Sequence, residues 1–268
     1  MAPVLKVFGL PIRSYPLAAV LAMLTAAALA WPALGKRAWS PLSRVLTIFA
    51  MVVAFLIGAR LWNLAVSPGA YGPDRPWYTL QLTGLSLYGG ILGAFFPLLA
   101  AARLKRQSLW AALDAFTMPA AAGFCLIRVG CFLNGCCRGI PTRLPWGVVF
   151  PAMVGGVDLN ILGAAVFRQA VHPTQLYELL GAVACIVLAL WVVRRFSLPE
   201  GGRFLVYATC FSTMRLCILP LRALRYPDWI RWGFYPALYL VLIAAGILLL
   251  RRMMRRLPTG APREHNEQ

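Results

Sequence analysis

Acidic residues and histidines are scarce in this chain: its 268 residues include eight Asp and Glu and two His, against 26 Lys and Arg. The scarcity argues against a carboxylate-rich metal site and leaves few side chains able to take up a proton near neutral pH. Charge of any kind is thin, at 13% of residues, and long polar stretches are missing. A chain that is 60% hydrophobic, with a mean hydropathy of +0.72, is too apolar for an ordinary soluble domain and falls in the integral-membrane class. Internal repeats, Pro-rich linkers and a second domain are also missing.

What is there instead is a series of apolar runs. A helix needs about 20 such residues to cross a bilayer core of about 30 Å. Seven stretches meet or approach that length: Tyr15 to Leu34, Val45 to Val66, Leu80 to Ala102, Leu109 to Ile127, Gln175 to Val193, Phe204 to Leu221 and Trp232 to Leu250. They are continuously apolar rather than alternating over about ten residues, which argues against a membrane β-barrel. The expectation is an all-α integral membrane protein of about seven spans. One polytopic domain covers 1–257, and the polar tail 258–268 reads as disordered and cytoplasmic.

The net charge of +18 does not point to nucleic acid, because a binder gathers its basic residues on one polar face. Here they punctuate the ends of the apolar runs: Lys36, Arg37 and Arg44; Arg103, Lys105 and Arg106; Arg194, Arg195 and Arg203; Arg251, Arg252, Arg255 and Arg256. With seven spans all four clusters fall on one side. The positive-inside rule makes that side cytoplasmic and the N-terminus external, or periplasmic. A competing reading takes residues 1–30 as a secretory signal, since Lys6 and Arg13 precede an apolar run ending in Ala-Leu-Ala.

Charges beside or within apolar runs are functional candidates, because each costs about 2.5 to 3.5 kcal/mol at a helix centre on insertion scales. They are Arg60, Asp114, Arg128, Arg138, His172, Glu178 and Arg215, with Tyr88 and Asn134 as uncharged partners. Arg60 also fits snorkelling to the outer interface. Asp114, near the start of the fourth span, fits capping of that span. Tyr88 sits among Gly84, Gly89, Gly90 and Gly93 in "GLSLYGGILG", where glycines let a helix or a lipid approach the backbone. The phenol reads either as an interfacial aromatic or as a group facing an interior pocket. In "VHPTQLYELL", Pro173 marks a helix start and Glu178 lies one turn on, a buried carboxylate in need of a partner. His172 is the only histidine outside the tail. Arg215 lies mid-span, with Pro220 placed to kink the helix. Guanidinium groups hold phosphate bidentately, so Arg128 and Arg215 together suit a phospholipid headgroup.

Of seven cysteines, Cys125, Cys185, Cys210 and Cys217 read as small buried side chains. Cys131, Cys136 and Cys137 occupy "RVGCFLNGCCRG". No histidine lies near them and C-x4-C-C matches no zinc spacing, so a metal is not expected. A disulfide from Cys131 to Cys136 or Cys137 stays open if the loop faces an oxidising compartment.

These residues together resemble a family, the prolipoprotein diacylglyceryl transferases. The family's G-R-x-G-N-F-x-N-G-E-x-x-G is similar to "IRVGCFLNGCCRG", with Arg128, Gly130, Phe132, Asn134, Gly135 and Gly139 matching. Its H-G-G-x-x-G resembles "YGGILG", its H-P-S-Q-L-Y-E resembles "HPTQLYE" from His172 to Glu178, and its G-G-R-x-x-Y resembles "GARLWN" around Arg60. A late family arginine corresponds to Arg215. The resemblance implies transfer, without a cofactor, of the diacylglyceryl group of phosphatidylglycerol to the lipobox cysteine of a preprolipoprotein signal peptide, by a monomer in the bacterial inner membrane. It implies catalytic roles for Tyr88, Arg128, Arg215 and His172. Phosphatidylglycerol binding is implied for Arg128, Asn134, Gly139, Arg60, Gly89, Gly90 and Glu178.

The sequence also departs from the family pattern. The histidine before Gly-Gly is Tyr88 here, and a phenol with pKa about 10 does not accept a proton as an imidazole near 6.5 does. An asparagine and a glutamate of the longest motif are Cys131 and Cys136. A late tyrosine and glutamate are Phe211 and Leu219. Three readings follow: a working transferase with a rearranged site, an enzyme of the same fold using another acceptor or a thiolate of its own at Cys136 or Cys137, and a non-catalytic lipid-binding protein.

Overall fold

The computed structural model describes residues 4–7, 10–68, 71, 76, 78, 85–150, 153–154, 157–158, 169–224 and 226–255. A short antiparallel hairpin, β1 (Val4–Val7) and β2 (Leu10–Arg13), leads into α1 (Ser14–Gly35). Then follow α2 (Pro41–Val66), α3 (Leu87–Leu104), α4 (Leu109–Asn134), a second hairpin of β3 (Met153–Val154) and β4 (Val157–Asp158), α5 (Thr174–Phe196), α6 (Gly202–Ile218) and α7 (Tyr235–Arg255). Among the described residues seven helical segments are long and apolar enough to cross a membrane, the sixth running to Leu221 and the seventh starting at Trp229. This is a multi-pass membrane protein. The proposed tail lies outside the described residues, as does Leu80, where the third span was expected to begin.

Large apolar side chains face outward, among them Leu24, Phe49, Leu180 and Val241. In a bilayer that surface meets lipid, so helix association depends on close packing rather than on water exclusion. Small residues supply it. A methyl group on Gly93 would come within 2.1 Å of the Ala54 carbonyl, and one on Gly58 within 2.3 Å of the Gly89 carbonyl, so α2 and α3 touch backbone to backbone. Gly130 of α4 makes room for the Ala18 side chain of α1, whose Cβ would lie 2.3 Å from a methyl group there. A core of Ala121, Phe124, Ala182, Ala189, Val206 and Phe211 joins α4, α5 and α6.

Three expectations change. The fourth helix runs to Asn134, not Ile127, and the chain first leaves the helical conformation at Gly135, which takes φ 73°. The amides of Gly135 and Cys136 then bond the carbonyls of Phe132 and Cys131, a Schellman closure. Asp114 does not cap its own helix, since α4 is capped by Ser108. Its carboxylate instead accepts the amides of Gly201 and Phe204, each at 2.8 Å, at the start of α6. Pro220 does not kink α6 but ends it, in a 3-10 turn over Leu219–Leu221.

Candidate active site

Arg128 stands six residues before the end of α4, Glu178 near the start of α5, and Arg215 three residues before the end of α6. At about 1.5 Å of rise per residue these positions share one level, roughly 5 to 9 Å inside one end of the helix bundle. The Glu178 carboxylate, 1% exposed, is the hub. Its Oε2 lies 2.8 Å from Nε of Arg128, its Oε1 accepts from Nη1 of Arg215, and the same oxygen lies 3.5 Å from Nε of Arg222. Arg222 arrives because the chain after α6 pairs with the chain after α4: Gly139 bridges Arg222, the Ile140 amide donates to the Leu221 carbonyl, and the Ala223 amide donates to the Arg138 carbonyl.

Three guanidinium groups around one carboxylate leave a formal surplus of two positive charges (three minus one) on groups that are all buried. Their hydrogen-bonding capacity is also unspent. Nη1 of Arg128 and Nε of Arg215 are buried without acceptors among the described residues. The Tyr88 hydroxyl is buried without a well-formed hydrogen bond, although Tyr239 and Arg215 are near enough to interact with it. Buried donors in native proteins are nearly always satisfied, so this cluster has room for an acceptor. The Arg215 guanidinium lies 6.0 Å over the Tyr88 ring and Arg128 lies 4.6 Å over Phe124. Tyr88 therefore faces the interior rather than the interface.

Beside this centre sits the cysteine loop. Cys131 is on the last turns of α4, and the Sγ atoms of Cys131, Cys136 and Cys137 all lie within 4.8 Å of one another. All seven cysteines are free thiols, so the disulfide is not formed. Hydrogen bonds with Cys131 and Cys136, and then the guanidinium groups of Arg128 and Arg222, hold the Cys137 thiol well below its ordinary value. Cys136 is lowered by its hydrogen bond with Cys131 but pushed up to about 12 by Cys137 and by burial. Asn134 reaches Cys136, and the Tyr15 phenol interacts electrostatically with all three cysteines and Arg128.

The remaining candidates take other places. His172 is 3.3 Å from the Tyr177 hydroxyl, which also accepts from Trp146 at 2.8 Å, so its ring belongs to a chain of aromatics. Arg60 reaches the Tyr71 hydroxyl at 3.4 Å. Gly89 and Gly90, expected among the phosphatidylglycerol-binding residues, pack against α2, where methyl groups on them would meet Trp62 at 2.2 Å and Phe55 at 2.4 Å. Gly139 likewise permits a chain crossing, since a methyl group there would lie 2.5 Å from the Leu221 carbonyl and 2.6 Å from Cβ of His172. Sequence reading missed Arg222, which follows directly on the sixth span, and Tyr15, which looked like the first residue of a span.

Fold and site together define a class: a multi-pass membrane protein with a cationic centre buried where three helix ends converge. A family model described as prolipoprotein diacylglyceryl transferase matches residues 3–255. Proteins named phosphatidylglycerol–prolipoprotein diacylglyceryl transferase are similar to it. The one from Solidesulfovibrio magneticus is 30% identical over 227 residues, covering 80% of this chain and 79% of the relative. The one from Cutibacterium acnes is 28% identical over 214 residues, covering 78% and 70%. A third, from Polynucleobacter asymbioticus, is 32% identical over 170 residues, covering 61% and 60%. The chain belongs to the prolipoprotein diacylglyceryl transferase family, and it is a transferase.

Proposed function

We propose that the protein moves the diacylglyceryl group of phosphatidylglycerol onto the lipobox cysteine of preprolipoproteins in the bacterial cytoplasmic membrane. The observation that carries this is the surplus of buried guanidinium groups around Glu178, with donors at Arg128 and Arg215 left unsatisfied. A phosphate ester supplies the acceptors and the negative charge they lack. An open apolar groove of about 650 Å³ between α2 and α3, lined by Gly58, Gly89, Gly93 and Phe96 among others, suits an acyl chain.

In the reaction the acceptor sulfur attacks the glycerol carbon that bears the phosphate. The carbon–oxygen bond breaks, its electron pair stays on the phosphate, and glycerol phosphate leaves as the thioether forms. Negative charge grows on the leaving phosphate, so fixed guanidinium groups there favour the transition state over the ground state. Glu178 holds Arg128, Arg215 and Arg222 in one arrangement, and Tyr88 donates to a phosphate oxygen.

The basic clusters lie at the other ends of these helices. We place them in the cytoplasm and the Glu178 centre toward the periplasmic leaflet, where a secreted acceptor meets it. The test gives purified protein labelled phosphatidylglycerol and a lipobox peptide and measures thioether product. Arg128→Ala is expected to lower transfer at least about 100-fold. Tight phosphatidylglycerol binding with no transfer by the wild-type protein overturns the proposal and favours another acceptor.

A further inference from the structure

One requirement of this chemistry has no obvious agent. A thiol attacks as its thiolate, yet the position where the family pattern has an imidazole is Tyr88, and His172 is engaged with Tyr177. The cysteines nearby have no part in the phosphate clamp.

Their arrangement is built. Gly135 reverses the chain at φ 73° and Cys137 itself adopts φ 56°, a left-handed conformation that is costly for a side chain bearing Cβ and is held where structure over-determines it. The first turn of α5 supplies the restraint. Nε2 of Gln175 donates to the Cys136 carbonyl at 2.5 Å and Oγ1 of Thr174 donates to the Cys137 carbonyl at 2.7 Å, with both side chains fully buried. The result is three sulfurs within 4.8 Å of one another. In a tetrahedral zinc–thiolate site with Zn–S near 2.3 Å, sulfurs stand about 3.8 Å apart. Closing this set by about 1 Å therefore completes three corners of a tetrahedron.

We propose that Cys131, Cys136 and Cys137 bind one Zn²⁺ through three sulfurs and leave its fourth position to the acceptor thiol, which the metal holds as a thiolate for transfer. Three protein ligands with one open position is the arrangement of a reactive rather than a structural zinc. The idea rests on the transfer proposed above and supplies its missing deprotonation. The acceptor S–H loses its proton to water as sulfur binds zinc, and that sulfur's electron pair then forms the new S–C bond. The C–O electron pair goes to glycerol phosphate, and the thioether, a weaker ligand, leaves the metal. No oxidant or reductant is needed. With the acceptor bound, four thiolates and Zn²⁺ sum to −2, which the +2 of the neighbouring Glu178 cluster balances.

The test uses full-length protein in detergent under reducing conditions. Zinc after dialysis is expected at about one per chain in the wild type, and at background in Cys131→Ser and in Cys136→Ser combined with Cys137→Ser. With Co²⁺ in place of zinc, sulfur-to-cobalt charge-transfer absorption is expected to rise by about one third, from three thiolates to four, when a lipobox peptide is added. The same peptide with Ser for Cys is expected to leave it unchanged. Should the Ser variants fail to fold, chelation and readdition of zinc in the wild type carry the same comparison. No retained zinc, a spectrum indifferent to the peptide thiol, or full transfer by metal-free protein overturns the proposal. The metal and peptide signals need no lipid. If both appear while lipid transfer does not, the zinc site stands and the diacylglyceryl reaction falls.

Discussion

Glu178 decides the character of the centre residue by residue. It is buried, it touches three guanidinium groups, and breaking a buried ion pair by removing one partner costs about 3 to 5 kcal/mol, because the other charge stays behind. Glu178→Gln leaves three buried cations and no anion. It is expected to lower the melting temperature in neutral detergent, and added phosphatidylglycerol is expected to raise it more in the variant than in the wild type, since the lipid phosphate takes the carboxylate's place. Thermal denaturation with phosphatidylglycerol against phosphatidylcholine reads this, and equal shifts in both proteins would falsify it. Arg128, Glu178 and Arg215 were legible in the sequence because a charge in an apolar run is too costly to be incidental. Arg222 was not, since an arginine just past a span looks like any topology charge until the α4 and α6 loops pair. The three cysteines were legible as a group, weighed for a disulfide and for a metal, but their spacing matches no zinc motif, and it is the turn at Gly135 that brings the sulfurs together.

Among the helices, α4 and α6 show what apolar runs reveal and what they hide. Hydropathy ended the fourth span at Ile127 because Arg128 and Asn134 are polar, yet backbone hydrogen bonding does not depend on side-chain polarity and the helix continues to Asn134. The Asn134-Gly135 pair was the readable stop signal, glycine just past the end of a helix. Asp114 was read correctly as a helix cap but assigned to the wrong helix, because the α6 start lies 87 residues away in sequence. Its two bonds to the Gly201 and Phe204 amides fix the entry of α6, which carries Arg215 at its far end. Replacing an N-cap by alanine typically costs about 1 kcal/mol and up to about 2. Asp114→Ala is therefore expected to destabilise the protein by that amount, with Asp114→Asn recovering part of it through its remaining carbonyl oxygen. Denaturation in mild detergent measures both, and an Asp114→Ala protein as stable as the wild type would show that α6 does not depend on this cap.

For the whole molecule, seven spans were legible because lipid-facing helices must be apolar all round, and the outward-facing leucines and phenylalanines of the fold obey that requirement. Orientation rests on charge alone. The loops after α1, α3 and α5 and the end of α7 carry the four basic clusters. On the opposite face Arg138 and Arg222 are 3% and 9% exposed and turn inward, and the exposed Arg13 and Arg143 stand singly, so the dense clusters at the other end set the orientation. A fluorescent reporter that matures only in the cytoplasm is accordingly expected to light up when fused after the C-terminal residue or within the loop at 105–107. Alkaline phosphatase, active only outside the cytoplasm, is expected to work when fused in the connection between α4 and α5. The reverse pattern would put the Glu178 centre on the cytoplasmic side, away from exported lipobox cysteines. It would also set the cysteine loop in a reducing compartment, where its thiols would stay reduced without a bound metal.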